Sequence, residues 1–376
     1  MKKVVLLVFL AFVCFVPSTF GAVPAKNFVI VDATSNESFV PIRFLNGYNG
    51  ISMTWTSTDQ RIDIVKEQVH LTLFVGKTAA TLNDESVQLS TAPFNDNGIT
   101  YVPLKFVSEA MDMQLIWDKD SASVKINQGE VSVSLPFINQ GRNTNNSKPI
   151  VSEKKTFKVG KKSFNVQMVT ISLLHPKIDL DVVLASDTIG KVEDLSSLAK
   201  RNNAAVAING TFFDAYTTGE FKSPYGYIIR GNELLHYGDR RTVFTYDKNN
   251  LVQLIPGDEF QDRFKQGTIE GGLQAGPRLI TNGKVSLDVE KEGFKDPKIL
   301  TGAGARSALG TTRDHKLILI TTSGATIPQL AEIMKQAGAY QAMNLDGGAS
   351  SGLYYNGKYI TAPGRKISNA IIIRNQ

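Results

Sequence analysis

A duplication with a fixed period is the strongest constraint on how the first half of this chain can fold. The segment FVPIRF at residues 39–44 recurs as YVPLKF at residues 101–106, and Trp55 recurs as Trp117. Both pairs are 62 residues apart (from 39 to 101 and from 55 to 117), which predicts two copies of one supersecondary unit. In each copy a strand leads into the Val-Pro pair, a short helix follows, and a strand pair holds the tryptophan. We expect both tryptophans to anchor the core; platforms that stack on sugars are the alternative.

The N-terminus reads as a secretory signal peptide at residues 1–21. Lys2 and Lys3 precede an apolar run at residues 4–16, and small residues then suit cleavage after position 21. The run is too short for a comfortable membrane span, so we expect no stable membrane anchor and a secreted protein, extracellular or associated with the cell wall. Cys14, the chain's one cysteine, lies in this segment, which excludes thiolate catalysis and disulfides in the mature protein.

The net charge indicates the kind of partner, and the composition of residues 128–149 indicates the domain boundary. The formal net charge of +6 includes the two lysines of the predicted signal peptide, so the remaining excess is mild. It favours an anionic glycopolymer of the cell wall or matrix as partner and is too small to predict nucleic-acid binding. Residues 128–149 end in the polar stretch QGRNTNNSKP, which predicts a linker between a first module at 28–127 and a second domain at 150–376.

The second domain alternates helical and strand patterns. A helix near residues 195–199 runs into the apolar strand 204–208. A helix at 327–337, which a possible capping box of Thr326 and Gln329 would begin, runs into the strand 341–345. Each strand ends abruptly in polar and glycine residues, where α/β architectures commonly place their sites. We therefore predict an α+β protein: a small duplicated α/β module followed by a mixed-sheet α/β catalytic domain.

The sharpest of these strand ends is the stretch NLDGGASSG at residues 344–352. Asp346 would stand at the tip of a buried strand, while Gly347 and Gly348 let the backbone turn with positive φ. Backbone N–H groups in such a turn can bind an anion, and Ser350 and Ser351 add hydroxyl donors. An ordinary Asp-Gly hairpin turn is the alternative for this motif taken alone.

Other strand ends and loops supply further candidates. Asn209 and Gly210 follow the strand 204–208, with Asp214 shortly after; Glu270 precedes a pair of glycines. Guanidinium groups bind phosphate oxygens bidentately, so the loop arginines Arg306 and Arg365 are candidates for holding a phosphodiester. A solvated surface position is the alternative for either of them.

Residues 28–127 resemble the N-terminal module of copper amine oxidases, on the VPIRF/VPLKF echo and the spaced tryptophans. The resemblance implies a surface-attachment or spacer module without oxidase chemistry.

The second domain resembles the phosphodiester glycosidase family, which includes the uncovering enzyme. The resemblance is carried, in order, by AINGTFFD (207–214), AGPRLITNGK (275–284), ARSALG (305–310) and NLDGGASSGLYYNGK (344–358). Ala349 stands where the family usually has a third glycine, and Ala305 stands where a proline is usual.

The resemblance implies a hydrolase that cleaves a sugar-1-phosphodiester at the glycosidic bond, in the manner of a phosphodiester α-N-acetylglucosaminidase. Teichoic acid and exopolysaccharide are substrates of this kind outside a cell.

Roles can be assigned as hypotheses. Asp346 is expected to be the main catalytic carboxylate, with Glu270 or Asp214 as its partner. Asn209 and Gly210 would contact the sugar. The phosphate would be held by the two loop arginines, the serine hydroxyls and the glycine amides of the DGG turn.

Two other functions are open from sequence: a metal-dependent phosphodiesterase that cuts P–O, and a non-catalytic polymer-binding protein. No metal site is predicted, because the histidines lack ligand spacing. We predict no cofactor and leave a divalent cation open.

Overall fold

A computed structural model describes residues 26–96, 98–140 and 148–376. The predicted signal peptide at residues 1–21 and the middle of the predicted linker lie outside these described residues. No helix in the described part of the chain combines the length and apolar character that a membrane span needs.

The first module is built almost entirely from short strands. Its two helices are α1 (Ile42–Leu45) and α2 (Leu104–Ala110). Its strands are β1 (Val29–Asp32), β2 (Ser38–Pro41), β3 (Ser52–Thr56), β4 (Arg61–Lys66), β5 (Val69–Phe74), β6 (Ala79–Leu82), β7 (Glu85–Gln88), β8 (Phe94–Asp96), β9 (Ile99–Pro103), β10 (Gln114–Asp118), β11 (Ser123–Gln128) and β12 (Val131–Gln140).

The duplication is visible as a symmetric strand pair at the centre of this module. Strands β2 and β9 carry the two Val-Pro segments and pair antiparallel, with Val40 opposite its repeat equivalent Val102. They belong to the sheet β10-β11-β12-β1-β2-β9-β8, while β3 to β7 form a second sheet. Strand β12 lies inside the predicted linker and pairs with both β1 and β11, so the folded module extends to Gln140.

The core-anchor prediction is wrong for Trp117. Both tryptophans occupy equivalent positions, Trp55 opposite Ile62 and Trp117 opposite Val124. Trp55 is half-buried and packs on the module core. Trp117, in contrast, is 40% exposed on the edge strand β10, where it makes an edge-to-face contact with Phe137 at 5.3 Å.

The second domain has more strand than the sequence predicted. Its helices are α3 (Leu195–Arg201), α4 (Gly257–Phe264), α5 (Pro297–Leu300) and α6 (Ile327–Gln336). Its strands are β13 (Ile150–Val159), β14 (Lys162–Ser172), β15 (Ile178–Leu184), β16 (Val206–Asn209), β17 (Ile228–Arg230), β18 (Glu233–His236), β19 (Val243–Tyr246), β20 (Val252–Ile255), β21 (Gly271–Gln274), β22 (Arg278–Thr281), β23 (Lys284–Val285), β24 (Gly304–Thr311), β25 (Lys316–Ala325), β26 (Gln341–Asn344), β27 (Leu353–Tyr355), β28 (Lys358–Thr361) and β29 (Asn369–Asn375).

Three sheets share one apolar core in this domain. They run β13-β14-β25-β24-β26-β22-β23, β15-β29-β16-β27-β28 and β18-β17-β21-β19-β20. Buried side chains from all three sheets form a single cluster, for example Leu309, Ile208 and Leu273. The strand pairs around β16 and β26 are antiparallel. The protein is therefore broadly α+β, as predicted, but its second domain is mostly sheet with few helices rather than an alternating α/β structure.

Both predicted helix-then-strand units are present. Helix α3 leads to β16, and α6 leads to β26. Helix α6 begins with the predicted capping box, in which Thr326 and Gln329 satisfy each other's backbone N–H groups. The two strands lie in different sheets, so their ends meet across a sheet-to-sheet contact and not as neighbours along one sheet edge.

Candidate active site

The strand ends of β16 and β26 are directly hydrogen-bonded to each other. The backbone N–H of Asp346 donates to the carbonyl of Gly210 at 3.0 Å. The side-chain amide of Asn209 donates to the carbonyl of Asp346 at 2.7 Å. Two polar turns that are 137 residues apart in the chain therefore form one structural unit, with Asp346 at its surface.

Close approach between the sheets requires glycine at position 210. A Cβ atom there would lie 2.1 Å from Oδ1 of Asn369 and 2.7 Å from Cδ2 of Leu273. Asn369, on β29, uses that same oxygen to accept from the N–H of Thr211 at 2.9 Å. Gly210 is thus a packing residue, and its absent side chain lets the end of β16 lie against Asn369 of the neighbouring strand β29 and Leu273 of β21 in another sheet.

Asn209 has a structural role that differs from the expected contact with sugar hydroxyls. It is buried, and its side-chain oxygen accepts from the hydroxyl of Ser307 at 2.7 Å and from the N–H of Gly352 at 3.0 Å. Its amide nitrogen is bonded to Asp346 as described above. With both ends of its side chain occupied, Asn209 holds β16, β24 and the Asp346 turn together instead of binding substrate.

The turn after Asp346 directs donors at its carboxylate. The N–H of Gly347 donates to Oδ1 of Asp346 at 2.9 Å, and the hydroxyl of buried Ser350 also bonds the carboxylate. The amide of Gly347 is therefore used by Asp346 and not held ready for phosphate. Gly348 is exposed and has φ of +60°, a conformation that favours glycine, and remains a candidate phosphate donor.

The carboxyl group of Asp346 has a strongly perturbed proton affinity. Its residue is half-buried, and loss of solvation raises its pKa to about 6. The bonds from Ser350 and Gly347 and the charge of Arg365 act in the opposite direction and keep the pKa from rising further. A carboxyl group that titrates near neutral pH is suited to exchange protons with a reacting group.

A cationic rim lies beside this carboxylate, formed by Lys298 and Arg365 around the ring of Tyr216. Arg365 donates to the hydroxyl of Tyr216 at 3.0 Å and stands over its ring at 4.9 Å, while Nζ of Lys298 is 5.8 Å from the ring centroid. The hydrogen bond from Arg365, with the charges of Arg365 and Lys298, lowers the pKa of Tyr216; the charge of Asp346 opposes this shift. The side chains of Asp346, Tyr216, Arg365 and Lys298 therefore share one electrostatic environment.

Asp214 organises the loop that carries Tyr216, and its role as the second carboxylate stays a prediction. Its Oδ1 accepts from the backbone N–H groups of Tyr216 at 3.3 Å and Thr217 at 3.1 Å, which is an Asx turn. That turn presents Tyr216, 76% exposed, to solvent at the rim.

Arg306 is buried beneath this rim. It is only 4% exposed, and its guanidinium donates to the carbonyls of Ala325 at 3.0 Å, Lys298 at 2.6 Å and Gly302 at 2.7 Å. These bonds tie helix α5, which carries Lys298, to the strands beneath. Arg306 therefore supports the rim from below, and its Nη1 lies 3.7 Å from the position that a Cβ of Gly347 would take, beside the DGG turn. Its role as a phosphate ligand stays a prediction.

Glu270 is not brought to this site. It lies before β21 and pairs with Lys248 at 3.6 Å. Leu273 is the residue of β21 that reaches Gly210, and three residues of strand place Glu270 about 10 Å further along. Strand geometry therefore separates Glu270 from the end of β21 that reaches the site, which gives its predicted pairing with Asp346 no support.

Two polar atoms beneath the turn are buried without a partner in the described part of the chain. They are the hydroxyl of Ser351 and Oδ1 of Asn344. Ser351 is 4% exposed, so it is less accessible than the predicted phosphate donor would be.

Several residues of the site were not predicted from sequence. Tyr216 follows the NGTFFD segment in a loop of turn-forming residues, and an exposed aromatic there was a usable signal. Lys298 carried no such signal, since it is one of many lysines. Ser307 and Asn369 are short polar residues within strand patterns, which gave no sequence signal. Only the folded structure shows that Ser307 bonds to Asn209 and Asn369 to Thr211.

A metal-binding cluster is not found in residues 26–96, 98–140 and 148–376, where no three histidine, cysteine or acidic side chains come together. A cleft of about 950 Å³ lies between the two domains and is lined mainly by β10, β11, β20 and α4 rather than by the Asp346 turn.

Comparison with known families matches each domain separately. Residues 202–374 match the family model described as phosphodiester glycosidase, and residues 29–126 match the copper amine oxidase N-terminal domain. A search of curated proteins gave no match.

Solved structures resemble the chain in fold. A hypothetical protein from Synechocystis superposes with a TM-score of 0.54 at 14% identity, over 93% of this chain and 99% of that one. The zebrafish N-acetylglucosamine-1-phosphodiester alpha-N-acetylglucosaminidase catalytic domain, auto-inhibited by its pro-peptide, gives a TM-score of 0.52 at 21% identity, over 62% of this chain and 85% of that one. Residues 202–374 are therefore similar to the phosphodiester glycosidase family and residues 29–126 to the copper amine oxidase N-terminal domain, while the two solved structures show a shared fold.

Proposed function

We propose that the second domain hydrolyses the glycosidic bond of a sugar-1-phosphodiester, releasing the sugar and a phosphomonoester. We further propose that the protein is secreted and that its substrate is an anionic glycopolymer of the cell wall or matrix, such as one carrying N-acetylglucosamine-1-phosphodiesters. The family match supports a glycosidase-like hydrolase, and the predicted signal peptide supports an extracellular substrate.

One arrangement carries the proposal: half-buried Asp346 bonds to the Gly347 amide and the Ser350 hydroxyl within the electrostatic reach of Arg365, and Arg365 and Lys298 both flank Tyr216. Cleavage of the C1–O bond gives the sugar oxocarbenium character and leaves negative charge on the departing phosphate. Asp346 supplies a carboxylate for the positive sugar centre. Arg365 and Lys298 supply positive charge for the departing phosphate.

The proton and atom balance is that of a hydrolysis. Water adds to C1, the C1–O bond breaks, and the bridging oxygen stays with the phosphate. Asp346, as carboxylate, takes a proton from the water or stabilises the positive sugar centre. A phosphate diester leaves with little need of a proton, so the cationic rim can take the place of a general acid.

The direct test replaces Asp346 with asparagine and measures sugar release from a synthetic sugar-1-phosphodiester. We expect Asp346→Asn to lower kcat by about 10² to 10⁴-fold, the usual contribution of a catalytic carboxylate. Asp262→Asn makes the same chemical change at an exposed position on α4, 85% exposed, and should leave kcat unchanged.

Folding of the variant can be checked in the same samples. The raised pKa of Asp346 means that the folded state favours the protonated carboxyl, so ionisation costs stability as pH rises from about 4 to about 6. Asp346→Asn should therefore be at least as stable as the parent protein at pH 7. Full activity in this well-folded variant would refute the assignment of Asp346.

A further inference from the structure

An exposed tryptophan marks a second cavity far from the Asp346 turn in sequence. Trp117 and Phe137 line a cavity of about 560 Å³ on one face of the edge strand β10. The preceding residue of that strand, Ile116, faces the cleft between the two domains that was described above. A tryptophan held at 40% exposure beside a second ring is not needed for the core, and offers a flat apolar surface to a ligand.

The duplication provides an internal comparison. Arg43, in the first copy, is committed to the fold because it donates to Oδ1 of Asn27 at 3.1 Å and to the carbonyl of Lys26. Its repeat equivalent Lys105 has a side chain that is 72% exposed, with Glu109 at 4.0 Å as a weak surface partner. The tryptophans differ in the same way. Trp55 and Arg43 of the first copy are used for packing, whereas Trp117 and Lys105 of the second copy are accessible.

The charge of the cavity favours an anion. Its described lining includes the cations Lys105, Lys119 and Arg313, against the single carboxylate of Glu37. Arg313 comes from the second domain, where it stacks on Tyr340 with its guanidinium carbon 4.2 Å from the ring centroid. The cavity therefore joins the two domains and combines an aromatic platform with positive charge from both.

We propose that this cavity binds a sugar phosphate unit of an anionic glycopolymer, with the sugar ring on Trp117 and the phosphate near Lys105, Lys119 and Arg313. The choice of polymer rests on the proposed function of the second domain. Amphipathic sugar rings stack on tryptophan through their apolar face, and the phosphate matches the surrounding cations. Holding the polymer at both domains raises the local concentration of its diesters at the Asp346 turn.

The test measures polymer binding by calorimetry with the full mature chain carrying Asp346→Asn, so that the polymer is not consumed. The probe is purified teichoic acid with sugar phosphate repeats, and inorganic polyphosphate of equal charge is the comparison. Trp117→Ala should weaken the Kd for teichoic acid about tenfold or more, and Lys105→Gln should weaken it several-fold. Ile116→Ala, the adjacent and similarly exposed residue on the opposite face, and Lys77→Gln, another lysine of the module, should leave it unchanged.

Binding and catalysis are separated by a second readout. In the parent background, Trp117→Ala should keep full turnover of a small sugar-1-phosphodiester while losing efficiency on the polymer. The proposal is overturned if the parent chain does not bind teichoic acid, if Trp117→Ala binds it as tightly as the parent, or if polyphosphate binds equally well. If the parent chain binds teichoic acid but hydrolyses neither the polymer nor the small diester, the proposed hydrolysis is contradicted. The proposed binding site at Trp117 would be unaffected by that result.

Discussion

At the scale of single residues, the behaviour of Asp346 depends on its neighbours. Loss of solvation raises its pKa to about 6, and Arg365 limits the rise. A carboxylate role requires the ionised form, so the proposed activity is present above this pKa and is lost as pH falls through it.

We predict that kcat/KM rises with pH through about 6 and reaches a plateau near neutral pH. Arg365→Gln removes a positive charge that favours ionised Asp346, so this limb of the profile should shift to higher pH, and KM should rise because the phosphate loses a partner. Lys366→Gln is the adjacent matched control. An unshifted limb in Arg365→Gln would show that the two side chains are not coupled.

At the scale of secondary-structure elements, the site depends on how closely the ends of β16 and β26 approach. The sheets meet at Gly210, where no side chain fits, and Asn209 bonds across the junction. The geometry of the carboxylate is therefore set by backbone contacts between two sheets.

Gly210→Ala should disturb this junction. The added methyl would clash with Asn369 and Leu273, and overpacking of this kind destabilises by about 1 to 3 kcal/mol. Gly304→Ala, on β24, adds its methyl with nothing within 4 Å and should change stability by less than about 0.5 kcal/mol. Denaturant unfolding of both variants measures the difference, and equal stabilities would contradict the close approach.

Local sequence signals predicted the elements that deliver the site. The capping box at Thr326 and the abrupt end of the strand before Asp346 are short-range features, and the structure has both. Which sheet each strand joins depends on long-range pairing, which has no local signature. For this reason the sequence did not reveal that Glu270 lies away from the end of β21 that reaches the site, or that Arg306 is buried beneath it.

At the scale of the whole molecule, the two domains share specific polar contacts. Nε2 of His315 donates to the carbonyl of Ala122 at 2.8 Å, and the hydroxyl of Tyr340 donates to Asp120 at 2.9 Å. His315 is buried, and loss of solvation lowers its pKa, so it is held neutral at the domain contact.

His315→Leu should lower the free energy of unfolding by about 1 to 3 kcal/mol, because a buried carbonyl loses its donor. The lowered pKa means that the folded state binds the proton less tightly, so this contribution is present above about pH 6.5 and is lost as pH falls. The two proteins should therefore converge in stability under acid conditions. Equal stability at pH 7.5 would show that the contact contributes nothing.

The central claim concerns which bond is broken, and an isotope measurement tests it most directly. The parent protein is incubated with a sugar-1-phosphodiester in water enriched in oxygen-18, and the products are analysed by mass spectrometry. Attack at C1 predicts the label in the released sugar and an unlabelled phosphomonoester. Label in the phosphate would instead show cleavage of the P–O bond and contradict the glycosidase mechanism.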